Sequence, residues 1–179
     1  VYKRQFNDIV QLSEDEQNSI KSLATAKIIT GTSDTEFSPD KTLTRAEIGA
    51  MLLRMTEHKY ETADESVFSD VSKNDWFCGT SALCRNYGII NGYEDNTFRG
   101  NDEISKLQLI VLASRTLQNE SARYNENVNT AAGIPDWAED DVNTALAYGL
   151  IDEADLDNLE NPITRSEAAV VLYKLYNLM

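Results

Sequence analysis

The stretch TLTRAEIGAML at residues 42–52 has a near twin, PITRSEAAVVL, at residues 162–172. A third and weaker copy, EISKLQLIVLA, lies midway at residues 103–113. In each copy a hydroxyl residue and a cation are followed by an acid or an amide, and then by an apolar run. The spacing of about 60 residues predicts that one structural unit occurs three times along the chain.

Other landmarks recur at nearly the same spacing. They are FNDI at 6–9 and FSDV at 68–71, IITG at 28–31 and IING at 89–92, Phe37 and Phe98, and Trp76 and Trp137. So many coincidences at one spacing are not expected by chance. We therefore interpret the chain as three repeats of about 60 residues each.

The predicted repeats occupy residues 6–62, 63–123 and 124–179 and form one compact unit. A chain of 179 residues with 41% apolar residues is long and apolar enough for a shared core. Residues 1–5, VYKRQ, are interpreted as the translation of a sequencing adapter or as a frayed terminus. If they are an adapter, the chain is a fragment whose upstream part is missing, and the repeats lie at the C-terminal end of a larger protein.

Each repeat is predicted to contain two helices joined by a turn, which holds a glycine in the first two repeats. The first helices are predicted at 15–27, 75–87 and 137–148, with capping boxes at Ser13–Glu16 and Asp136–Glu139. The second helices begin at the quoted motif, where capping boxes are predicted for Thr44 and Glu47, Ser105 and Gln108, and Thr164 and Glu167. Each cap residue is worth about 0.5–2 kcal/mol.

The capping boxes do not explain the cation that follows each of them. Arg45, Lys106 and Arg165 lie in the first helical turn, where the helix dipole disfavours positive charge by about 0.3–1 kcal/mol. One interpretation is that each cation, together with free N–H groups of the helix start, binds a carboxylate, phosphate or ketal acid. The other is that each cation pairs with one of the 30 acidic residues. The spacing alone favours neither.

The composition excludes several classes of function. A formal net charge of −14 argues against nucleic-acid binding, and no apolar run reaches the roughly 20 residues of a membrane-spanning helix. Cys78 and Cys84 are predicted to be small buried residues, not a disulfide or part of a zinc site. With one histidine and no catalytic or metal-ligand set, neither an enzyme nor a cofactor is predicted.

The combination of FSDV, Trp76, GIINGYEDNTF and the helix starts LTRAE and ITRSE resembles the surface-layer homology (SLH) module in a tandem of three. The resemblance covers residues 6–179. It implies a mainly α, pseudo-threefold domain with a helix-loop-helix in each repeat, a central three-helix bundle and grooves between the repeats. It also implies a monomeric anchor outside the cell that holds an exported protein to the bacterial cell wall. The implied ligand is an anionic, often pyruvylated, secondary cell-wall polysaccharide, or peptidoglycan.

The resemblance also implies which residues bind the ligand. The arginine of the family motif falls on Arg45 and Arg165, with Lys106 in its place in the second repeat. The turn glycines fall on Gly31 and Gly92, whereas Glu153 replaces glycine in the third repeat, where Val128-Asn129-Thr130 also replaces the Phe-x-Asp motif. At most two grooves are therefore expected to be complete. Trp76 and Trp137 can stack on sugar rings, although packing in the protein is the favoured role.

Two alternatives remain open on the sequence alone. A helical-repeat scaffold for protein partners is one, although exactly three copies suit a closed arrangement better than an open stack. The other is that the anchor belongs to an extracellular glycoside hydrolase whose catalytic domain lies elsewhere.

Overall fold

The computed structural model describes residues 6–56, 58, 61–63, 65–120 and 133–179, and it is mainly α-helical as predicted. Its helices are α1 (Glu14–Thr25), α2 (Arg45–Met55), α3 (Cys78–Asn86), α4 (Lys106–Glu120), α5 (Glu139–Ala147) and α6 (Arg165–Leu178). Short 3-10 helices span Asn7–Ile9 and Glu153–Leu156. The predictions for residues 1–5 and for Val128-Asn129-Thr130 fall outside the described residues.

Each first helix packs against the second helix of another predicted repeat. Helix α1 packs on α6, α3 packs on α2, and α5 packs on α4. The second helices meet at α4, which contacts both α2 and α6. This arrangement confirms the predicted fold class, and the contact between α1 and α6 closes the three units into a ring.

A triangle of backbone hydrogen bonds marks the pseudo-threefold axis. The N–H of Leu43 donates to the carbonyl of Ile163 at 3.3 Å, Ile104 donates to Leu43 at 3.0 Å, and Ile163 donates to Ile104 at 3.0 Å. Each residue is at most 1% exposed and directly precedes the cap of its helix. The three second helices therefore begin around one common point in the core.

All three capping boxes of the second helices are present. The hydroxyls of Thr44, Ser105 and Thr164 accept hydrogen bonds from the backbone N–H three residues later, and the Glu or Gln side chain there accepts from the N–H of the cap residue. The box at Ser13 and Glu16 is also present.

Two first helices begin later than the sequence predicts. Helix α3 begins at Cys78 instead of residue 75, because the Asp75 carboxylate and carbonyl form a turn with the N–H groups of Ser72 and Cys78. Helix α5 begins at Glu139, and its N-cap is Ala138, which makes no side-chain cap. The predicted capping box at Asp136 is therefore wrong.

The loop between α1 and α2 and the loop between α3 and α4 are each held by a Phe-x-Asp motif. The Asp8 carboxylate accepts from the N–H groups of Phe37 and Ser38 at 2.9 and 2.6 Å. Asp70 accepts in the same way from the N–H groups of Phe98 and Arg99, at 2.7 and 2.8 Å. Each carboxylate thus fixes a loop 28–30 residues further along the chain.

The two cysteines are free and buried, as predicted. Among the described residues, no helix is both long and apolar enough to cross a membrane.

Candidate functional site: the groove at Arg45

The N–H groups at the starts of the second helices are already occupied. At α2, the N–H groups of Arg45 and Ala46 donate to the carbonyls of Asp102 and Gly100, at 3.0 and 2.9 Å. The starts of α4 and α6 are filled in the same way by carbonyls of Asn161 and Leu159, and of Lys41 and Pro39. The expectation that free helix N–H groups help to bind an anion is therefore wrong. What remains at each start is the cationic side chain.

Arg45 is a buried cation whose side chain is not fully paired. The residue is 8% exposed, and its Nε has no hydrogen-bond partner among the described residues. The guanidinium lies over the ring of Tyr93, 4.9 Å from the centroid, which gives a cation–π contact. Burial lowers the pKa of Arg45 below its ordinary value, although an arginine stays charged in proteins. A buried charge without an anionic partner costs several kcal/mol, and an anion placed here would reduce that cost.

Arg45 opens onto a cavity of about 680 Å³, which we call the Arg45 groove. Its lining residues are Arg45, Gly92, Tyr93, Glu94, Asp95, Arg99, Gln108, Val111, Leu112, Arg115 and Trp137. They come from all three predicted repeats, since α2 supplies Arg45, the loop before α4 and α4 itself supply most of the wall, and Trp137 precedes α5. The lining has a formal excess of one positive charge in a chain of net charge −14.

The other two arginines of the Arg45 groove have acidic partners. Arg99 pairs with Asp95 at 2.9 Å and lies over the Tyr93 ring at 3.9 Å. Arg115 pairs with Asp141 at 3.0 Å. The hydrogen bonds from Thr97 and Arg99 lower the pKa of Asp95 to about 2, so this carboxylate stays charged and keeps its hold on Arg99. Of the three, Arg45 is thus the cation left for an added anion.

Arg165, the equivalent of Arg45 in α6, is engaged by the backbone. Its Nε donates to the carbonyl of Phe37 at 2.8 Å, and its Nη2 donates to the carbonyl of Thr30 at 2.6 Å. Its guanidinium also lies 4.5 Å from the centroid of the Phe37 ring. Arg165 therefore joins α6 to the loop between α1 and α2.

Lys106, the third cation, has an acidic neighbour. Its Nζ lies 3.7 Å from Oδ1 of Asp155, which belongs to the 3-10 helix Glu153–Leu156. Pairing with an acid thus occurs at Lys106, whereas neither Arg45 nor Arg165 forms an ion pair with any of the described residues. Of the two alternatives left open by the sequence, pairing with an acid therefore describes Lys106 and neither arginine.

The turn glycines allow close packing of the loops. A Cβ at Gly92, where φ is +82°, would overlap the ring of Phe68, and a Cβ at Gly31 would overlap the ring of Phe6. Gly92 lies in the wall of the Arg45 groove. For both residues, contact with the core explains why a side chain is absent.

Both tryptophans are more exposed than predicted. Trp76 is 61% exposed and Trp137 is 56% exposed, because each lies in the turn before a helix and not in its first buried turn. The favoured role of packing anchor is therefore wrong. Trp137 lies in the wall of the Arg45 groove, and Trp76 is the equivalent residue 61 positions earlier in the sequence.

The groove residues that the sequence did not predict as site residues include Tyr93, Arg99 and Arg115. Tyr93 directly follows Gly92, so an aromatic residue beside a turn glycine was the available signal. Gln108 donates from Nε2 to the Tyr93 hydroxyl at 3.3 Å, which links the capping box of α4 to the groove. Arg115 gives no comparable signal, because its place in the wall depends on how α4 meets α2 and α5.

Comparisons with known proteins match this chain to parts of two enzymes and of a surface-layer protein. The chain is 34% identical over 97% of its length to amylopullulanase of Thermoanaerobacterium thermosulfurigenes, and over 95% to exoglucanase XynX of Acetivibrio thermocellus. It is 26% identical over 93% of its length to the surface-layer 125 kDa protein of Lysinibacillus sphaericus. The matched regions span 10%, 16% and 14% of those three proteins.

A family assignment follows from a second comparison. The sequence model of the S-layer homology domain matches residues 5–48, from before α1 into α2, and residues 67–110, from before α3 into α4. These segments overlap the first two predicted repeats, 6–62 and 63–123, and include Arg45 and Lys106. The chain therefore contains two domains of the S-layer homology family, at residues 5–48 and 67–110.

Proposed function

We propose that this chain anchors an exported protein to the bacterial cell wall by binding an anionic wall polysaccharide, or peptidoglycan, in the Arg45 groove. Cell-surface anchoring of secreted proteins is the function supported by the S-layer homology domain and by the relatives. Two of those relatives are named as enzymes and one as a surface-layer protein, yet all match this chain over nearly its whole length. Such a distribution is expected of a shared module that is separate from any catalytic domain.

A single observation carries the choice of site. Arg45 is a buried guanidinium that lines a cavity and has an Nε without a partner. A carboxylate or phosphate on a sugar would give this guanidinium the anionic partner that it lacks among the described residues. Trp137, which is 56% exposed, offers an aromatic face in the same wall, on which a sugar ring can pack.

We further propose that residues 124–179 form a third S-layer homology repeat. The pseudo-threefold triangle at Leu43, Ile104 and Ile163 supports this assignment, as do the matching capping boxes of α2, α4 and α6. The third unit also supplies Trp137 to the Arg45 groove. In this proposal the protein is extracellular, acts as a monomer and requires no cofactor.

Binding to purified bacterial sacculi, with and without their attached polysaccharide, tests the proposal. The native chain is compared with Arg45→Gln and with the control Lys21→Gln, which removes one positive charge from the exposed face of α1. We expect Arg45→Gln to weaken binding at least about tenfold, because it removes one partner of a buried charge contact. Lys21→Gln should bind like the native chain.

Each result of this experiment decides a different point. Loss of binding when the polysaccharide is stripped makes the polysaccharide the ligand, whereas retained binding makes peptidoglycan the ligand. Equal binding by native chain and Arg45→Gln would remove the Arg45 groove from the contact. Failure of the native chain to bind either preparation would refute wall anchoring and favour a scaffold for protein partners.

A further inference from the structure

We propose that the three equivalent cations have diverged in role, so that Arg45 alone contacts the ligand while Arg165 is a positioning residue that closes the ring. This inference rests on the proposed wall-anchoring function and adds a stoichiometry to it, namely one anionic group bound per chain. It differs from the expectation that each complete copy of the motif is a ligand site.

The hydrogen bonds of Arg165 already replace a ligand. Two of its nitrogens, Nε and Nη2, donate to carbonyls of the first repeat, and the residue is 6% exposed. An anion that took these donors would compete with both carbonyls, and it would leave the buried carbonyl of Phe37 without a partner. Arg165 instead connects α6 to the loop that follows α1, which are the elements that close the ring.

Lys106 is unsuited to the ligand for a different reason. Its ammonium lies near Asp155, and lysine has no planar fork for paired hydrogen bonds to a carboxylate. A ligand anion would lie beside the Asp155 carboxylate and be repelled by it. The third cation therefore joins α4 to the 3-10 helix before α6.

Within the part of the chain that the structure describes, Arg45 is left as the cation without an acceptor for its Nε, and its surroundings fit the end of a glycan. The cavity of about 680 Å³ lies within the range of roughly 300–1,000 Å³ that is usual for small-molecule sites. That size suits an end group or a side group more than a long stretch of polymer. Tyr93 lies against the cation, Trp137 belongs to the wall of the same cavity, and Gln108 donates a hydrogen bond to the Tyr93 hydroxyl.

Tryptophan fluorescence can report on this groove alone, because the chain has two tryptophans and Trp137 lines the groove. Trp76→Phe leaves Trp137 as the single emitter. In this background, polysaccharide fragments released from sacculi are titrated into the otherwise native chain and into Arg45→Gln, Arg165→Lys and Lys106→Gln. Arg165→Lys is chosen because lysine keeps one donor for the loop carbonyls, which favours folding. Circular dichroism and thermal melting are recorded for each variant.

Arg45→Gln should lower the affinity at least about tenfold without lowering the melting temperature, because it removes a buried cation that lacks an acceptor. Arg165→Lys should lower the melting temperature and leave the affinity within about twofold of the native value. Lys106→Gln should also leave the affinity within about twofold of the native value. If all three cations bound the ligand, each substitution would instead lower the affinity.

The inference is overturned if folded Arg165→Lys or folded Lys106→Gln loses binding as strongly as Arg45→Gln, or if Arg45→Gln binds as the native chain does. Either result leaves wall anchoring in place as long as the native chain binds sacculi. Only the absence of native binding to sacculi refutes the anchoring function itself.

Discussion

At the scale of single residues, Asp8 shows how one carboxylate organises a loop. It accepts the N–H groups of Phe37 and Ser38, and it thereby holds the loop to which Arg165 also bonds. Burial by itself would raise the pKa of Asp8, but these backbone hydrogen bonds outweigh it and bring the pKa below the ordinary value of 3.8. The folded state therefore prefers the charged carboxylate more than the unfolded state does.

A pH-dependent stability measurement follows from that preference. Because the pKa is lowered on folding, the stabilisation is complete above the unfolded value of 3.8 and is lost as the pH falls through the folded value. Asp8→Asn should lower the free energy of unfolding by about 1.5 kcal/mol at neutral pH, since the amide group opposes one of the two N–H donors. Urea unfolding at about pH 7 and about pH 3 should show the gap between variant and native chain narrowing in acid.

The comparison with the variant cancels the effect of the other carboxylates, which titrate in both chains. A gap of the same size at both pH values would mean that Asp8 acts through its shape and not through its charge.

The sequence predicts the identity of the important cations but not their different roles. Arg45 and Arg165 have the same motif, the same cap and the same depth in the core. What separates them is the loop that each one meets, and this loop comes from another part of the chain. Arg165 finds two carbonyls there, whereas Arg45 finds an aromatic ring and a cavity. A motif within one repeat contains no information on that long-range partner.

At the scale of elements, the first helices end in the same manner. Each has a residue with left-handed backbone after its C-cap, namely Lys27 at φ 62°, Gly88 at 67° and Gly149 at 68°. In the first copy, the N–H groups of Lys27 and Ile28 donate back to the carbonyls of Ala24 and Leu23, at 3.1 and 2.9 Å. This is the Schellman arrangement, in which glycine is the favoured residue because it has no Cβ. The first repeat pays a conformational penalty at Lys27 that the other two avoid.

Lys27→Gly should therefore stabilise the protein. Removing the Cβ from a left-handed position relieves about 1–2 kcal/mol, reduced somewhat by the greater freedom of glycine in the unfolded chain. The expected net gain in the free energy of unfolding is about 1 kcal/mol, measured by urea denaturation. Gly149→Ala is the matched opposite, since a Cβ there meets nothing within 4 Å and introduces the backbone strain alone.

A stability loss in Lys27→Gly would indicate that the lysine side chain contributes more than its backbone strain costs. A gain in Lys27→Gly together with a loss of similar size in Gly149→Ala would assign both changes to the backbone.

The sequence largely predicts which helices exist, but it does not predict where α3 and α5 begin. Periodicity and capping residues locate the second helices correctly, because Thr44 and Thr164 act within their own helix turn. The starts of α3 and α5 are displaced because the preceding residues use their hydrogen bonds in turns. This displacement also leaves Trp76 and Trp137 exposed. Local sequence cannot decide between a turn and a first helical turn when both satisfy the same N–H groups.

At the scale of the whole molecule, the net charge affects how the protein would approach the proposed anionic ligand. A net charge of −14 repels an anionic polymer at long range, while the Arg45 groove attracts an anion at short range. Salt screens the long-range repulsion, because the Debye length falls from about 30 Å at 0.01 M to about 8 Å at 0.15 M. The buried contact at Arg45 is screened much less.

Affinity for sacculi should accordingly stay flat or rise slightly as salt is increased from about 0.01 M to about 0.15 M. Sedimentation binding assays over that range measure it, with Arg45→Gln as the control for the specific contact. A steep loss of affinity over that range would instead point to a cationic surface as the main contact.

The contact between α1 and α6 also sets the order in which the protein can fold. Helices α1 and α6 lie far apart in the sequence, so α1 cannot pack on this partner until residues 165–178 have been made and brought back to it. Contacts of such large sequence separation form slowly, because the loop entropy is lost before the contact is gained. A chain emerging in order from a ribosome or a translocation pore would thus remain open until its last helix is released. The anchor would become competent in one late, cooperative step.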